Sequence, residues 1–591
     1  MVNSVSLQSL SLGVLKRCQQ SLAPTPRSLR PARAWGWFCA SLVYSSVVAV
    51  LLWHAIAGES YALADDARQH VVWMLRFTDA ELFANDLIAD YYQSVSPIGF
   101  AGLYRLLAIV GVSPLVFCQL LPPLLIVLTG AIAFLTVLEL SALPAAGFVV
   151  SALMTQSAEY TVTVASGTSK AFVYGLMLLF MYGWLRRSRW LSWGAILLQG
   201  LFYPQTVLLS AGLLALGLVE RRQGRWGWRR DRALWILTVG GLLIAAAVIL
   251  YYGLATSEFG PTVKETQALT MPEFFRGGRT KFFKSDWVNM LLYGRSGLRL
   301  DTATTPVTNL LAIALPLMLR WPRRFALARS VSADVDILLK LVVTGLFWFM
   351  AAHAVLFKLY LPSRYTGRFL LIAGVLGTSL ALVLLLDALL HWAIALLSSA
   401  HSSTGLAACP IAMATLLSLV VLLYPLTMPG YPYASMTQGS APELYQFIAS
   451  QPKASLVAGL TVETANIPSY AQRSVLISRE VAIPYHVGYY AEIRQRAKDL
   501  IAAQYSSDPA VVKAFIQKYG VTHWLLESSE FDIQTLNRDR WLQQYQPEAG
   551  QAVTALATGK IPALQSLGDL CVAFQSTQHV VVEANCILNK L

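Results

Sequence analysis

The chain has 591 residues, 56% of them hydrophobic and 13% charged, with 45 Lys and Arg against 32 Asp and Glu and a net charge of +13. A mean hydropathy of +0.53 excludes an ordinary soluble globular protein and leaves a polytopic membrane protein with room for a soluble domain. The positive charge lies in short runs beside apolar segments, where anionic lipid and the positive-inside bias place it, so no nucleic-acid partner is expected.

Residues 1–34 form a basic tail with Lys16, Arg17, Arg27, Arg30 and Arg33, no acid, and Pro24, Pro26 and Pro31 interrupting any helix. The apolar run from about Trp35 to Ala57 is too long for a signal-peptide core and shows no convincing small-residue cleavage site. It reads as an uncleaved anchor whose amino end is cytoplasmic. The external loop that follows, residues 58–96, holds Glu59, Asp65, Asp66, Asp79, Glu81, Asp86 and Asp90 against Arg68 and Arg76, an acidic island in a basic chain.

Residues 96–114 read as a span or as a surface helix. Counting them as a span would turn the basic runs Arg186 to Arg189, Arg221 to Arg232 and Arg320 to Arg324 outward, so they are assigned to an interfacial helix. The further spans run from Leu115 to Leu140, Ala142 to Thr155, Ala171 to Leu185, Leu191 to Tyr203, Gln205 to Val219, Ala233 to Ala255, Val307 to Leu319, Ile337 to Phe357, Phe369 to His391 and Leu406 to Leu426. Several fall short of the ~20 residues that a hydrocarbon crossing takes. The expected fold is therefore mainly α: a bundle of about eleven transmembrane helices over residues 35–427, with a second external loop at 256–306. That loop carries aromatics among Arg276, Arg279, Lys281 and Lys284 and is either a gate over a site or an interfacial segment.

From about Met428 the composition changes. Short apolar runs at 454–460, 474–478 and 522–527 alternate with helical patterns, and residues 428–591 read as a soluble extracytoplasmic α/β domain. Asp508 before Pro509 is a helix start and Gly520 a stop. Cys571 and Cys586 flank a hairpin turn at Gln578 and His579; outside the cytoplasm a disulfide between them is permitted. No CxxC or HExxH pattern supports a zinc site, and no cofactor is expected.

This layout resembles the GT-C superfamily of integral-membrane glycosyltransferases: one span, an acidic first external loop, a many-span bundle and an extracytoplasmic carboxyl-terminal domain. The run Asp65-Asp66-Ala67-Arg68 is similar to the Asp-Glu-x-Arg-Tyr run of the bacterial lipid A aminoarabinose transferases, and more loosely to the Asp-Glu pair of the protein O-mannosyltransferases, with Asp66 in place of Glu and Gln69 in place of Tyr. The resemblance implies inverting transfer of a sugar from a polyprenyl-phosphate carrier to an extracytoplasmic acceptor, a cell-envelope glycan, lipid or protein, at the outer face of a bacterial inner membrane. It implies no strict need for a metal.

Such chemistry takes a carboxylate to orient and deprotonate the acceptor and cations to stabilise the departing phosphate. Asp65 matches the position of the first role. Asp66, one residue on, is about 100° away if helical and shares a face with His70. For the phosphate, Lys358, Arg364 and Arg368 lie in an outer turn where the positive-inside rule does not put them; the other reading is snorkelling to headgroups. Lys170 is a further candidate, as is His353, an intramembrane histidine that is either functional or packed. Asp86 and Asp90 serve either an acceptor or metal site or a charged surface. Tyr485, His486, Tyr489 and Tyr490 either border an acceptor groove or pack. Two other functions remain open: a transporter or flippase of lipid-linked saccharide, disfavoured because the spans hold few charges beyond Glu139, Lys340 and Asp387, and a catalytically inactive scaffold in an envelope assembly complex.

Overall fold

The structure, a computed structural model, describes residues 2–25, 32–222, 225–255, 257–294, 297–298, 307–398, 404–567 and 569–590. Pro26, Arg27, Arg30 and Pro31 of the basic tail and the 299–306 end of the second external loop lie outside the described residues.

The apolar runs form helices, since only intrasegment hydrogen bonding satisfies a backbone in lipid. Among the described residues six are long and apolar enough to cross a membrane: Ala32–Ala57, Pro114–Leu140, Arg232–Leu254, Ala333–Ala354, Pro362–Ser398 and Leu406–Thr427. Shorter apolar helices, among them Pro144–Thr155, Ser169–Leu185, Gln205–Gly217 and Asn309–Arg320, fill the spaces between. The chain is a multi-pass membrane protein. The segment Pro362–Ser398 is apolar on every side and is the pillar of the bundle: 78% of its most apolar window is buried, against 22% for Leu406–Thr427, which turns its Leu side chains outward as a lipid-facing helix does.

Ion pairs sort the connecting turns to two ends. At one end, Arg187 and Arg229 meet Asp334 at 3.1 and 3.2 Å, and Arg186 lies 3.7 Å from Glu139. The amino-terminal segment reaches the same end, where Thr25 N–H bonds the Ala142 carbonyl. At the other end lie the acidic loop, the turn ending at Lys170, the Tyr203 corner and the turn carrying Arg364. Helix Ile98–Ile109 stays at this second end, with Tyr104 donating to the Gly167 carbonyl at 2.6 Å.

The structure departs from the sequence reading in three places. The basic tail contains a 21-residue helix, Val2–Leu22, ahead of Pro24, and Gln19 on it bonds Asp387 at 3.2 Å. The pillar helix continues to Ser398, past the expected end at His391, because the run Trp392 to Leu397 is still apolar and holds no Gly or Pro to stop it. The run after Gly217 is an antiparallel hairpin rather than a plain turn.

The strands are β1 (Ala62–Ala64), β2 (Val219–Arg222), β3 (Arg225–Trp228), β4 (Met436–Gln438), β5 (Leu456–Ala458), β6 (Ser474–Val475), β7 (His523–Glu527), β8 (Val572–Gln575) and β9 (His579–Glu583). The last five form one mixed sheet in the order β6-β5-β7-β9-β8, parallel across β6, β5 and β7 and antiparallel beyond. Helices Val487–Gln504 and Pro509–Tyr519 accompany this sheet. Asp508 caps the latter through Ala510 N–H at 2.9 Å, and Gly520 ends it. Cys571 and Cys586 are disulfide-bonded.

The acidic loop is stapled to this sheet-bearing region. Strand β1 pairs antiparallel with β4, and Asp65 N–H continues the ladder to the Ser435 carbonyl at 3.0 Å. Tyr91 stacks on Tyr489 with ring centroids 3.7 Å apart and bonds His486 at 3.0 Å.

Candidate functional site

Strand β1 ends at Ala64, and the short helix Asp65–His70 begins with the two aspartates, where carboxylates complement free N–H groups. Successive residues point apart on such a turn. Asp65 faces the carboxyl-terminal region: Arg68 Nη2 lies 2.6 Å from its Oδ1, and Thr437 donates to the same oxygen at 3.3 Å. Asp66 faces the membrane bundle and forms an ion pair with Lys170.

Lys170 is delivered by a tight turn. Gly167 has φ +59°, and a Cβ there would stand 2.5 Å from the Cys118 carbonyl oxygen, so the close approach needs glycine. The turn Pro362–Tyr365 brings Arg364 to the same place. Tyr365 Oη bonds the Leu359 carbonyl at 2.9 Å, and helix Ile337–Ala354 packs so close that a Cβ at Gly345 would lie 2.7 Å from the Tyr365 carbonyl oxygen. One turn on, Arg368 is 3% exposed; its guanidinium lies over the Tyr203 ring at 5.3 Å, with Glu159 Oε1 4.0 Å from its Nε. Arg364 lies over Tyr360 at 5.7 Å. Arg364 Nε and Arg368 Nη1 are buried without a hydrogen-bond partner among the described residues.

Charge is concentrated here. Burial by itself raises the Asp66 carboxyl, but Lys170, followed by His70 and Arg364, outweighs it and holds the group well below the usual carboxylate range. Burial pushes the His70 imidazole down against the pull of Asp66; its ring meets Tyr92 edge to face at 5.5 Å. Lys170, Arg364 and Arg368 therefore stand around Asp66 and Glu159, three cations to two carboxylates, at one end of the bundle.

On the other side of the short helix, Arg68 Nη2 is also 3.3 Å from Glu480, which Gln69 and Arg279 bond as well. This network ties the acidic loop and the second external loop to the carboxyl-terminal region. Burial pushes the Glu480 carboxyl up, against the pull of Arg279.

Other predicted residues lie elsewhere. Asp86 caps helix Leu87–Ser94, accepting from Ile88 and Ala89 N–H at 2.8 and 3.0 Å, and Asp90 pairs with Arg76 at 2.7 Å; both are occupied in shaping the loop. His353 Nδ1 lies 3.0 Å from the Phe349 carbonyl oxygen, and its ring packs on Phe349. Lys358 is exposed. Tyr485 packs with Phe274 and Phe357, placing the aromatics of the second external loop inside a protein interface. The three charges in predicted spans are engaged at the end opposite the site: Glu139 near Arg186, Lys340 with Asp336 at 2.8 Å, and Asp387 with Gln19.

Sequence reasoning missed Tyr203, Glu159 and Glu480 as neighbours of the site and placed Arg279 only in a loop read as a gate or an interfacial segment. Tyr203 stood in a visible Tyr-Pro-Gln corner and Arg279 in a basic aromatic run, whereas nothing local marks Glu480.

No protein-family model matches the sequence, and no curated protein matches it significantly. Among solved structures, the chain is similar to the oligosaccharyltransferase AglB from Archaeoglobus fulgidus in complex with an inhibitory peptide and a dolichol-phosphate, at 11% identity and a TM-score of 0.50 over 87% of this chain and 72% of that one. The Archaeoglobus fulgidus oligosaccharyltransferase in complex with zinc and sulfate gives 11% identity and a TM-score of 0.50 over 86% and 70%. The arabinofuranosyltransferase AftD from Mycobacteria aligns at 16% identity and a TM-score of 0.45 over 82% of this chain and 36% of that one.

Proposed function

This chain has the GT-C fold, and we propose that it is an inverting glycosyltransferase that moves a sugar from a polyprenyl-phosphate carrier to an extracytoplasmic acceptor at the inner membrane of a bacterium. The observation that carries the reading is the convergence of Lys170, Arg364 and Arg368 on the Asp66 side of the short helix, at one end of the bundle, with Asp65 next to it on the face turned toward the carboxyl-terminal region. A protein of this fold holding a dolichol-phosphate lends it support.

In this reading the lipid phosphate lies against Arg364 and Arg368, whose forked donors match phosphate oxygens, with Lys170 as a point charge beside them. Asp66 holds Lys170 in place. Asp65, on the face turned toward the carboxyl-terminal region, accepts the hydrogen bond of the acceptor hydroxyl. As that oxygen attacks the anomeric carbon, its proton passes to the Asp65 carboxylate. The bond from the anomeric carbon to phosphate oxygen breaks, and the phosphate leaves with the electron pair, stabilised by the cations. The second external loop and the sheet-bearing residues 428–591 form the outer wall of the site.

The test is consumption of a labelled polyprenyl-phosphate sugar by the purified full-length chain. Turnover is expected in the wild type and lost in Asp65→Asn, while donor binding persists. Wild-type rates in Asp65→Asn overturn the role of Asp65; wild-type protein that binds no lipid phosphate overturns the function.

A further inference from the structure

A cleft of about 430 Å³ opens on the Asp65 side of the short helix, between the acidic loop, residues 278–281 of the second external loop and the carboxyl-terminal region. Arg68, Arg279, Thr280, Thr437, Asn466 and Glu480 are among its walls. Its volume falls within the few hundred Å³ and upward that small-ligand sites occupy.

The charged groups in the floor are already matched. Arg68 bridges Asp65 and Glu480 and donates to Asn466 Oδ1 at 3.0 Å, while Arg279 is spent on Glu480. Glu463 accepts from Ser440 at 2.6 Å and Asn466 at 2.8 Å, and Asp539 accepts Trp541 and Leu542 N–H at 2.8 and 3.1 Å. A ligand there meets no uncompensated charge. It meets hydroxyls and side-chain amides instead. Thr280 is 1% exposed, and its hydroxyl has no hydrogen-bond partner among the described residues; Arg68 Nε is in the same state. A buried polar atom without a partner is costly, and a ligand hydroxyl is one group that relieves it.

The lining offers Leu460, Val462 and Ala465 as its aliphatic side chains, too little for an acyl chain. Lys281 and Arg479 are exposed members of the wall, so an acidic group further along a glycan is met there and not at the floor. Sugar hydroxyls both donate and accept, which is what mixed hydroxyl, amide and paired-ion walls ask for.

We infer that this cleft binds a saccharide and that this saccharide is the acceptor, its hydroxyl presented to Asp65 across the Arg68 side chain. The identification of the bound molecule as acceptor rests on the transferase reading above; the saccharide site itself does not.

The test uses the full-length chain in lipid nanodiscs without any donor and measures saturation-transfer NMR from methyl α-mannopyranoside, methyl β-galactopyranoside and methyl α-arabinofuranoside, with a capped Asn-Val-Thr tripeptide as comparison. At least one glycoside gives a signal, weakened about fivefold in Thr280→Val, as loss of one hydrogen bond predicts, restored in Thr280→Ser and unchanged in Arg364→Gln. The tripeptide neither signals nor competes. Glycoside binding indifferent to Thr280→Val, absence of any glycoside signal, or displacement by the tripeptide overturns the inference. Because no donor is present, saccharide binding without transfer activity removes the transferase reading alone.

Discussion

The two ends of the helix bundle are both rich in arginine, and they use it differently. At one end Arg187 and Arg229 converge on Asp334, and Glu139 faces Arg186, so basic turns are fastened to acids. At the other end Arg364 and Arg368 lie over tyrosine rings, with the Glu159 carboxylate no nearer than 4.0 Å to Arg368, and Lys170 is the cation closely paired to Asp66. Cations fastened to acids hold loops. Cations held by aromatic rings rather than by a close carboxylate are set for an anion that arrives from outside.

The comparison breaks most visibly at Arg364. Arg364→Ala is expected to reduce transfer on the order of 100-fold, the scale of losing one charged donor to a developing anion, and to weaken lipid-phosphate binding in a flotation assay; Arg187→Ala at the opposite end should leave both intact. Asp66→Asn comes next. It frees Lys170 without removing the cations, so roughly tenfold is expected, read in donor KM more than in kcat. A protein equally impaired by Asp66→Asn and Asp65→Asn in kcat alone would merge the two faces of the short helix into one role.

A third prediction concerns pH and a region away from both ends. Burial raises the Glu530 carboxyl from its ordinary 4.5 to about 7, where Gln504 bonds it at 2.8 Å and is itself bonded by Trp524. A carboxyl raised in the folded state favours folding at low pH. That contribution is full below about 4.5 and is lost as pH rises toward about 7. The span corresponds to roughly 3 kcal/mol. Thermal unfolding of Glu530→Gln should lose this slope; a slope that persists assigns it to another group. The smallest effect belongs to Lys358→Ala. Its side chain is exposed, and transfer should stay within about twofold of wild type, which separates the turn's surface charge from the half-buried Arg364.

Much of the scaffold was legible in the sequence because the bilayer imposes a one-dimensional rule. An apolar run must become a helix, and Arg-rich turns collect on one side. The two aspartates were legible because acidic residues are scarce in this chain, so a cluster after the first span stands out. That they face different ways was legible as well, since adjacent residues on a helical turn point apart. The hairpin of β2 and β3 was not legible, because alternation of Arg and Trp over four residues is too short to distinguish from a turn. The tail helix was hidden by the prolines that follow it.

The sequence by itself determined a multi-pass helical protein with an acidic loop and basic turns, because hydropathy and charge act locally and can be read residue by residue. Which charges meet was decided only by tertiary structure. Asp66 finds Lys170 across 104 positions of chain, and Arg68 finds Glu480 from the far end of the molecule. Coulomb energy depends on distance and local dielectric, neither of which a linear sequence contains.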